Sequence, residues 1–266
     1  MTEFLSMPFM QRALLAGAMV GVSAALVGSF VVIRRMTFIG AGIAHSSFAG
    51  VVIGLLVGIN PIIAAMGFAI FVGLSIGFFA KNYRIEEESA VGVFFPFSMA
   101  LGILLLGFIK GYSPNIMGYL FGDILLVGKT EVSLSLVAFI LTLLFFSILF
   151  REMVFSTFDE ETSRVIGIRV ELVYYLFLFL TAFVIVVSIK IVGIILFSGL
   201  LVIPPLIALM FAKDMKGYVI LSGIIGLLSA VFGLVLSYYL NLPSGATIIA
   251  FSFLLLLIAA AFKRRK

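Results

Sequence analysis

Apolar runs of about 20 residues, the length a helix needs to cross a bilayer, follow one another along nearly the whole chain. Inside hydrocarbon, every backbone N–H and C=O must find its partner within the protein, which leaves only helices or closed barrels. The runs here are continuous and lack the polar/apolar alternation of a barrel wall, so helices remain. They fall at roughly 9–33, 38–58, 61–80, 89–109, 130–150, 172–189, 191–212, 217–240 and 245–262. The break near Lys190 rests on a single lysine, and 112–129 reads as a short re-entrant or interfacial helix. With 64% hydrophobic and 11% charged residues in 266, no soluble core could be covered. The expectation is an all-α polytopic membrane protein with about nine transmembrane helices (eight to ten fit the same runs), forming one domain over 1–266.

Nine spans place the termini on opposite sides of the bilayer. If Lys263-Arg264-Arg265-Lys266 is cytoplasmic, then 13 of the 17 basic residues lie inside, leaving Arg12, Lys110, Lys129 and Lys190 outside. The positive-inside rule therefore predicts the N-terminus out and the C-terminus in. The net charge of +5 sits beside apolar spans and marks topology, so nucleic acid is not an expected partner. Met1 to Gln11 carries Glu3 and no basic cluster, so no cleavable leader is expected. All eight tyrosines fall in loops or near predicted span ends, where ring and hydroxyl meet different surroundings at the bilayer boundary.

Cysteine is absent, which excludes thiolate metal sites and thiol chemistry. None of the twelve acidic residues lies well inside a predicted span. A carrier powered by protons commonly holds a carboxylate there, so a self-powered secondary transporter fits poorly, though it stays open as an alternative. No pair of aspartates or His-Glu-x-x-His occurs in the spans, and an intramembrane hydrolase is disfavoured. Gly122 to Thr130 mimics a P-loop, but has five residues between its glycines where a phosphate loop has four. If ATP drives this protein, another chain binds it.

The only histidine, His45, lies in the second run. Helical rotation puts Ala41, Ala49, Val52 and Leu56 on its side and the ladder Gly50, Gly54 and Gly58 on the opposite side. The ladder predicts close helix packing, as do Gly17/Gly21 and Gly73/Gly77. Two readings of His45 stay open: a neutral imidazole bonded to a neighbouring helix, or a ligand on a cation path. In the second, Ser46, Ser47, backbone carbonyls, water or a second copy of His45 would complete the coordination.

The longest connection on the expected cytoplasmic side, about 151–171, is also the most charged. Within it, Thr157 to Gly167 predicts a short amphipathic helix with Asp159 as cap, Gly167 as stop, and Phe158, Thr162 and Val165 on one face that a soluble partner could receive. The alternatives are a plain connecting loop, or a charged loop held by a membrane anchor. Glu86-Glu87-Glu88 reads as a solvated loop whose charge complements the start of the fourth span.

Several stretches, taken in order, resemble the permease subunits of the zinc and manganese ABC importers. They are Ser29 to Gly40, Ala44-His45-Ser46, Met117 to Leu125, Asp159 to Gly167, Val192-Gly193, Ser198 to Pro205 and Pro243-Ser244-Gly245. The resemblance implies a divalent-metal importer with no permanently bound cofactor, two permease copies (a homodimer), separate ABC ATPase subunits that bind ATP, and an extracytoplasmic metal-binding protein. It also implies that Asp159, Glu160, Glu161, Thr162, Arg164, Val165 and Gly167 belong to the helix that couples to the ATPase. The family's path histidine matches His45, and the aspartate that usually precedes it by one turn is here Ala41. Only His45 carries over as a metal ligand. A permease of the same superfamily for a metal chelate or vitamin is the alternative.

Overall fold

The computed structural model describes residues 7–109 and 127–263. The expected re-entrant segment at 112–129, most of the P-loop mimic, the stretch Met117 to Leu125 and the basic end Arg264 to Lys266 lie wholly or largely outside those residues.

Ten helices are found among the described residues: α1 Pro8–Ile33, α2 Ile39–Val57, α3 Pro61–Tyr83, α4 Glu87–Leu106, α5 Lys129–Phe158, α6 Glu160–Val165, α7 Val170–Ile189, α8 Ile191–Phe211, α9 Met215–Leu240 and α10 Ser244–Lys263. All but α6 are long and apolar enough to cross a membrane. The chain is a multi-pass membrane protein.

The boundaries follow local chemistry. Pro61 opens α3, with the Asn60 side chain accepting from the Ile62 N–H at 2.9 Å. Asp214 caps α9 through the Gly217 N–H at 3.1 Å. The weakest expected break has a different form: helix runs on from Val170 to Phe211 without a loop, and the backbone departs from helical angles at Gly193 (φ 80°, ψ 166°). A positive φ of that kind suits a residue without a Cβ, so the kink takes Gly193, in the first turn of α8 and three residues from the expected break near Lys190. α5 is longer than expected. It continues through Phe158, so the connection predicted over 151–171 shrinks to α6 and its flanks. Arg151 and Glu152 are helical, and the next helix starts at Val170.

Two compact units emerge. The first comprises residues 1–32, 121–142 and 187–266, with α1, α8, α9 and α10 as its helices. Glycines set its seams. Gly21 of α1 meets Gly226 and Ala230 of α9, Gly28 lies against Leu201 of α8, and Gly233 of α9 meets Ile248 of α10. The Tyr218 hydroxyl donates to the Ser29 carbonyl at 3.1 Å, and with Gly21 facing Gly226 this shows α1 and α9 running antiparallel. Tyr218 is buried, so its place near a span end serves a helix–helix bond and not a lipid boundary.

The second unit comprises residues 33–120 and 143–186. α2 sits at its centre, with α3 on one side and α4 on the other. Gly50 and Gly54 press on Ala64, Ala65 and Pro61 of α3, while Gly42 meets Val91 and Gly102 of α4 meets Phe48 and Ala49. α3 in turn packs antiparallel on α7, Gly73 against Ala182 and Gly77 against Leu178 and Tyr174. Gly58 departs from the ladder expected of it. It ends α2 in the left-handed region (φ 76°), and the space where a side chain would stand is open.

Candidate functional site

α2 places His45 half-buried, with its ring 5.0 Å from that of Phe95 on α4 and the planes tilted by 45°. The pair meets because α2 and α4 run parallel: Gly42 faces Val91, His45 faces Phe95, and Phe48 faces Gly102. Among the described residues no group of three or more His, Asp or Glu could hold a metal ion. Ser46 and Ser47, the expected helpers, are buried and donate to α2's own carbonyls, Ser46 to Gly42 at 2.7 Å and Ser47 to Ala44 at 2.6 Å. Their hydrogens serve the helix. His45 thus offers one imidazole beside an aromatic ring, with Ala41 one turn earlier on α2.

The second place is the end of the same unit where α2 and α4 begin and α3 and α5 finish. Here α6 is formed by its caps. The Asp159 carboxylate accepts from the Thr162 N–H at 2.9 Å and from the Thr162 hydroxyl at 2.6 Å. At the other end, Gly167 takes φ 87°, its N–H donating to the Arg164 carbonyl, while Ile168 donates back to Ser163. A helix of six residues has too little propensity to stand alone, so these caps are decisive. The expected shared face of Phe158, Thr162 and Val165 is modified: Phe158 closes α5, and Thr162 is committed to the cap. Beside the exposed charges of Glu160, Glu161 and Arg164, Val165 of α6 is 86% exposed and Phe158, at the end of α5, is 68% exposed.

Charges then tie α6 to its surroundings. Glu160 receives Arg164 at 2.8 Å and Lys81, from the last turn of α3, at 3.2 Å. Arg164 also reaches Glu171 at the start of α7 at 3.2 Å. Glu161 points to no such role; it is exposed in the first turn of α6, where negative charge complements the helix dipole. The Thr162 hydroxyl and N–H hold the Asp159 carboxyl below its ordinary range. Partial burial alone would push Glu160 up, but hydrogen bonds from Arg164 and Lys81 outweigh it and hold it down as well.

Behind α6 stands Tyr174, buried between two cations. Lys81 Nζ lies 4.8 Å and Arg34 Cζ 5.5 Å from its ring centroid, and its hydroxyl donates to Glu87 at 3.2 Å. Arg34 donates from Nε to the Thr157 hydroxyl at 3.1 Å and from Nη2 to Ser156 at 3.2 Å. Burial pulls its pKa down against the opposing pull of Tyr174, Glu87 and Glu160. Thr37 donates to Glu88 at 3.0 Å. The Glu86-Glu87-Glu88 run is therefore no plain solvated loop: two of its members are bonded across the unit, while Glu86 takes the cap position of α4 without a side-chain cap bond.

Nothing in the sequence singles out Lys81 as a partner of α6, or Arg34, Glu87 and Tyr174 as a bonded group next to it. The residues were visible only as span-end charges and boundary tyrosines; no periodicity links positions 87 residues apart, the separation of Tyr174 from Glu87.

Nine apolar helices among the described residues, one short capped helix exposed between two of them, and a chain-long match together settle the lineage. The family model described as the ABC 3 transport family matches residues 6–263. The chain belongs to the ABC 3 transport family. Its fold is that of the family's permeases: a chain of PsaBC from Streptococcus pneumoniae, solved in complex with a Fab, superposes with a TM-score of 0.83 over 97% of this chain and 94% of the other, at 30% identity. In sequence it is similar to the manganese transport system membrane protein MntC of Listeria innocua, 32% identical over 96% of this chain and 90% of the relative. It is likewise similar to the manganese import system permease protein ScaB of Streptococcus gordonii, 33% identical over 94% and 90%. Membership makes the chain a membrane transport subunit.

Proposed function

We propose that this ABC 3 family member is the permease of an ATP-driven importer of a divalent metal ion, with manganese as the first cargo to test and zinc the second. The observation that carries the reading is the similarity, over nearly the full length of both chains, to permeases named for manganese transport. His45 lines the path as the one imidazole within the described spans, and neutral imidazole is a good ligand for manganese or zinc. With no carboxylate at Ala41, the ion is held by fewer charges and released more readily.

In this reading the N-terminus faces out and the C-terminus in, which puts Arg34, Lys81 and α6 at the cytoplasmic boundary in keeping with the bias of basic residues. Separate ATPase subunits receive α6 with its exposed Val165 and charged neighbours, an extracytoplasmic metal-binding protein delivers the ion, and a second copy of the permease completes the pathway. ATP acts only through its partner chain: binding there must favour one permease conformation over another, and the contact at α6 is where that difference enters.

The test is metal uptake by vesicles carrying the assembled complex, with wild-type permease compared to His45→Ala. Loss of manganese or zinc uptake with assembly intact is the expected result. Unchanged uptake at every metal concentration removes His45 from the path, and uptake without any ATPase present sinks the ATP-driven reading.

A further inference from the structure

α6 is joined through the chain only to α5 and α7. His45 is on neither of them, so whatever moves α6 needs a route to α2. We propose that the ion pair between Lys81 and Glu160 is that route: it is the joint through which displacement of α6 reaches α3 and, with α3, the helix that carries His45.

Three observations build the route. The joint itself spans residues 79 apart in sequence, Lys81 Nζ standing 3.2 Å from Glu160 Oε1. Lys81 is not a free surface lysine; its side chain is 21% exposed and its ammonium also lies over the Tyr174 ring at 4.8 Å, which limits the directions in which it can follow Glu160. Next, α3 and α2 are locked. A Cβ on Gly50 would stand 2.6 Å from the Ala65 Cα, and one on Gly54 2.8 Å from the Pro61 Cα, so the two backbones are in contact and slide or tilt together. Last, α3 also packs on α7, with Gly73 near Ala182 and a Cβ on Gly77 coming within 3.0 Å of Tyr174 Cε1. The Leu178 side chain fills the hollow at Gly77, so α3 is seated on α7 at the level of Tyr174.

Tyr174 supplies the fixed point. Buried, bonded to Glu87 and flanked by Arg34, it is held by α4 and by the turn between α1 and α2, and Arg34 is held in turn by Ser156 and Thr157 of α5. A pull on Glu160 therefore acts on the end of α3 next to a point that four other segments hold. Arg164 shares Glu160 and anchors the far end of α6 to Glu171, so α6 moves as one piece. A partly exposed ion pair contributes little to stability. The role argued here needs little: it has only to bias two arrangements of α3 differently.

This inference rests on the reading of α6 as the segment that meets the ATPase, and the experiment separates the two. Complexes purified with their ATPase subunits are reconstituted, and metal taken up per ATP hydrolysed is measured for wild type, Lys81→Met, Lys81→Arg and Val165→Asp. Lys81→Met is expected to retain bound, active ATPase and to lose at least about fivefold in uptake per ATP, a factor set by one modest charged contact. Lys81→Arg, which keeps the charge and the contact over Tyr174, is expected to stay within about twofold of wild type. The double variant Lys81→Glu/Glu160→Lys is expected to recover uptake relative to Lys81→Glu alone, which a merely structural lysine would not do. Wild-type coupling in Lys81→Met, or no recovery in the exchanged pair while Lys81→Arg also fails, overturns the joint. Val165→Asp tests the other reading by copurification: release of the ATPase supports α6 as its docking segment, and full retention overturns that reading and the inference resting on it.

Discussion

The His45 imidazole lies against the Phe95 ring, 5.0 Å centroid to centroid, because the parallel course of α2 and α4 brings the two residues to one level. The ring restricts the imidazole's orientation, and a ligand that is already oriented loses less freedom when a metal arrives. An aromatic pair of this sort contributes about 1 kcal/mol beyond its buried area. Phe95→Ala is expected to raise the metal concentration at half-maximal uptake about fivefold while leaving the maximal rate within about twofold. Uptake measured across metal concentrations checks it; a half-maximal concentration equal to wild type denies Phe95 a positioning role.

The α2–α3 seam gives a stability prediction with its own control. Gly50→Ala puts a methyl group 2.6 Å from the Ala65 Cα and 2.8 Å from the Ala64 carbonyl oxygen, both backbone atoms that cannot step aside. Overpacking of this kind costs about 1–3 kcal/mol. Gly67→Ala, one helix over, meets nothing within 4 Å and is expected to be neutral or to gain up to about 1 kcal/mol from helix propensity. Thermal unfolding of the two variants in the same detergent should separate them in that order.

Within the other unit, Tyr218→Phe removes the hydroxyl that donates to the Ser29 carbonyl at 3.1 Å and leaves the ring in place. Hydrogen bonds between membrane helices contribute about 0.6–2 kcal/mol. The variant should unfold at lower temperature with uptake unaffected at permissive temperature, and equal unfolding temperatures would show the bond to be dispensable.

Acid should weaken α6. Asp159 and Glu160 are both held below the ordinary carboxylate range in the folded chain, Asp159 by Thr162 and Glu160 by Arg164 and Lys81 against the effect of its own burial. A depressed carboxyl stabilises the fold above its unfolded pKa, and that contribution is lost as pH falls through the folded value. Coupled ATPase activity is therefore expected to fall on acidification below the usual carboxylate range and to be flat above it. Asp159→Asn keeps an acceptor for the Thr162 N–H without titrating, so its acid loss should be shallower than wild type, with the remainder belonging to Glu160. An identical acid limb in both proteins would exclude the cap as its origin.

The turn after α6 gives a conformational test. Gly167 adopts φ 87° with open space where a side chain would go, so Gly167→Ala introduces backbone strain and no clash. Left-handed backbone costs an L-residue about 1–2 kcal/mol, enough to fray a helix of six residues. Faster proteolysis near 165–170 than in wild type is the expected sign, and equal rates would show the stop to be robust.

The membrane-spanning plan was legible in residue order alone. Apolar length is a local property, and so are Asp159 as a cap, Gly167 as a stop and the small residues at Gly50 and Gly54. The solvent for each span is dictated by its own composition, so nine runs of apolar residues could become only membrane helices. Even the single imidazole was visible, because one histidine among apolar neighbours stands out without any knowledge of the fold.

What tertiary structure decided is which residues meet. Phe95 beside His45, Lys81 on Glu160, Tyr174 between Lys81 and Arg34, and the conversion of Glu87 and Glu88 from a solvated run into bonded acceptors all join residues from separate helices. In lipid, apolar faces do not select one another by hydrophobicity, since the tails are as apolar as the side chains. Partner choice therefore falls to the shape of small-residue seams and to a few polar bonds at the span ends, and both depend on three-dimensional register that no local pattern in the chain encodes.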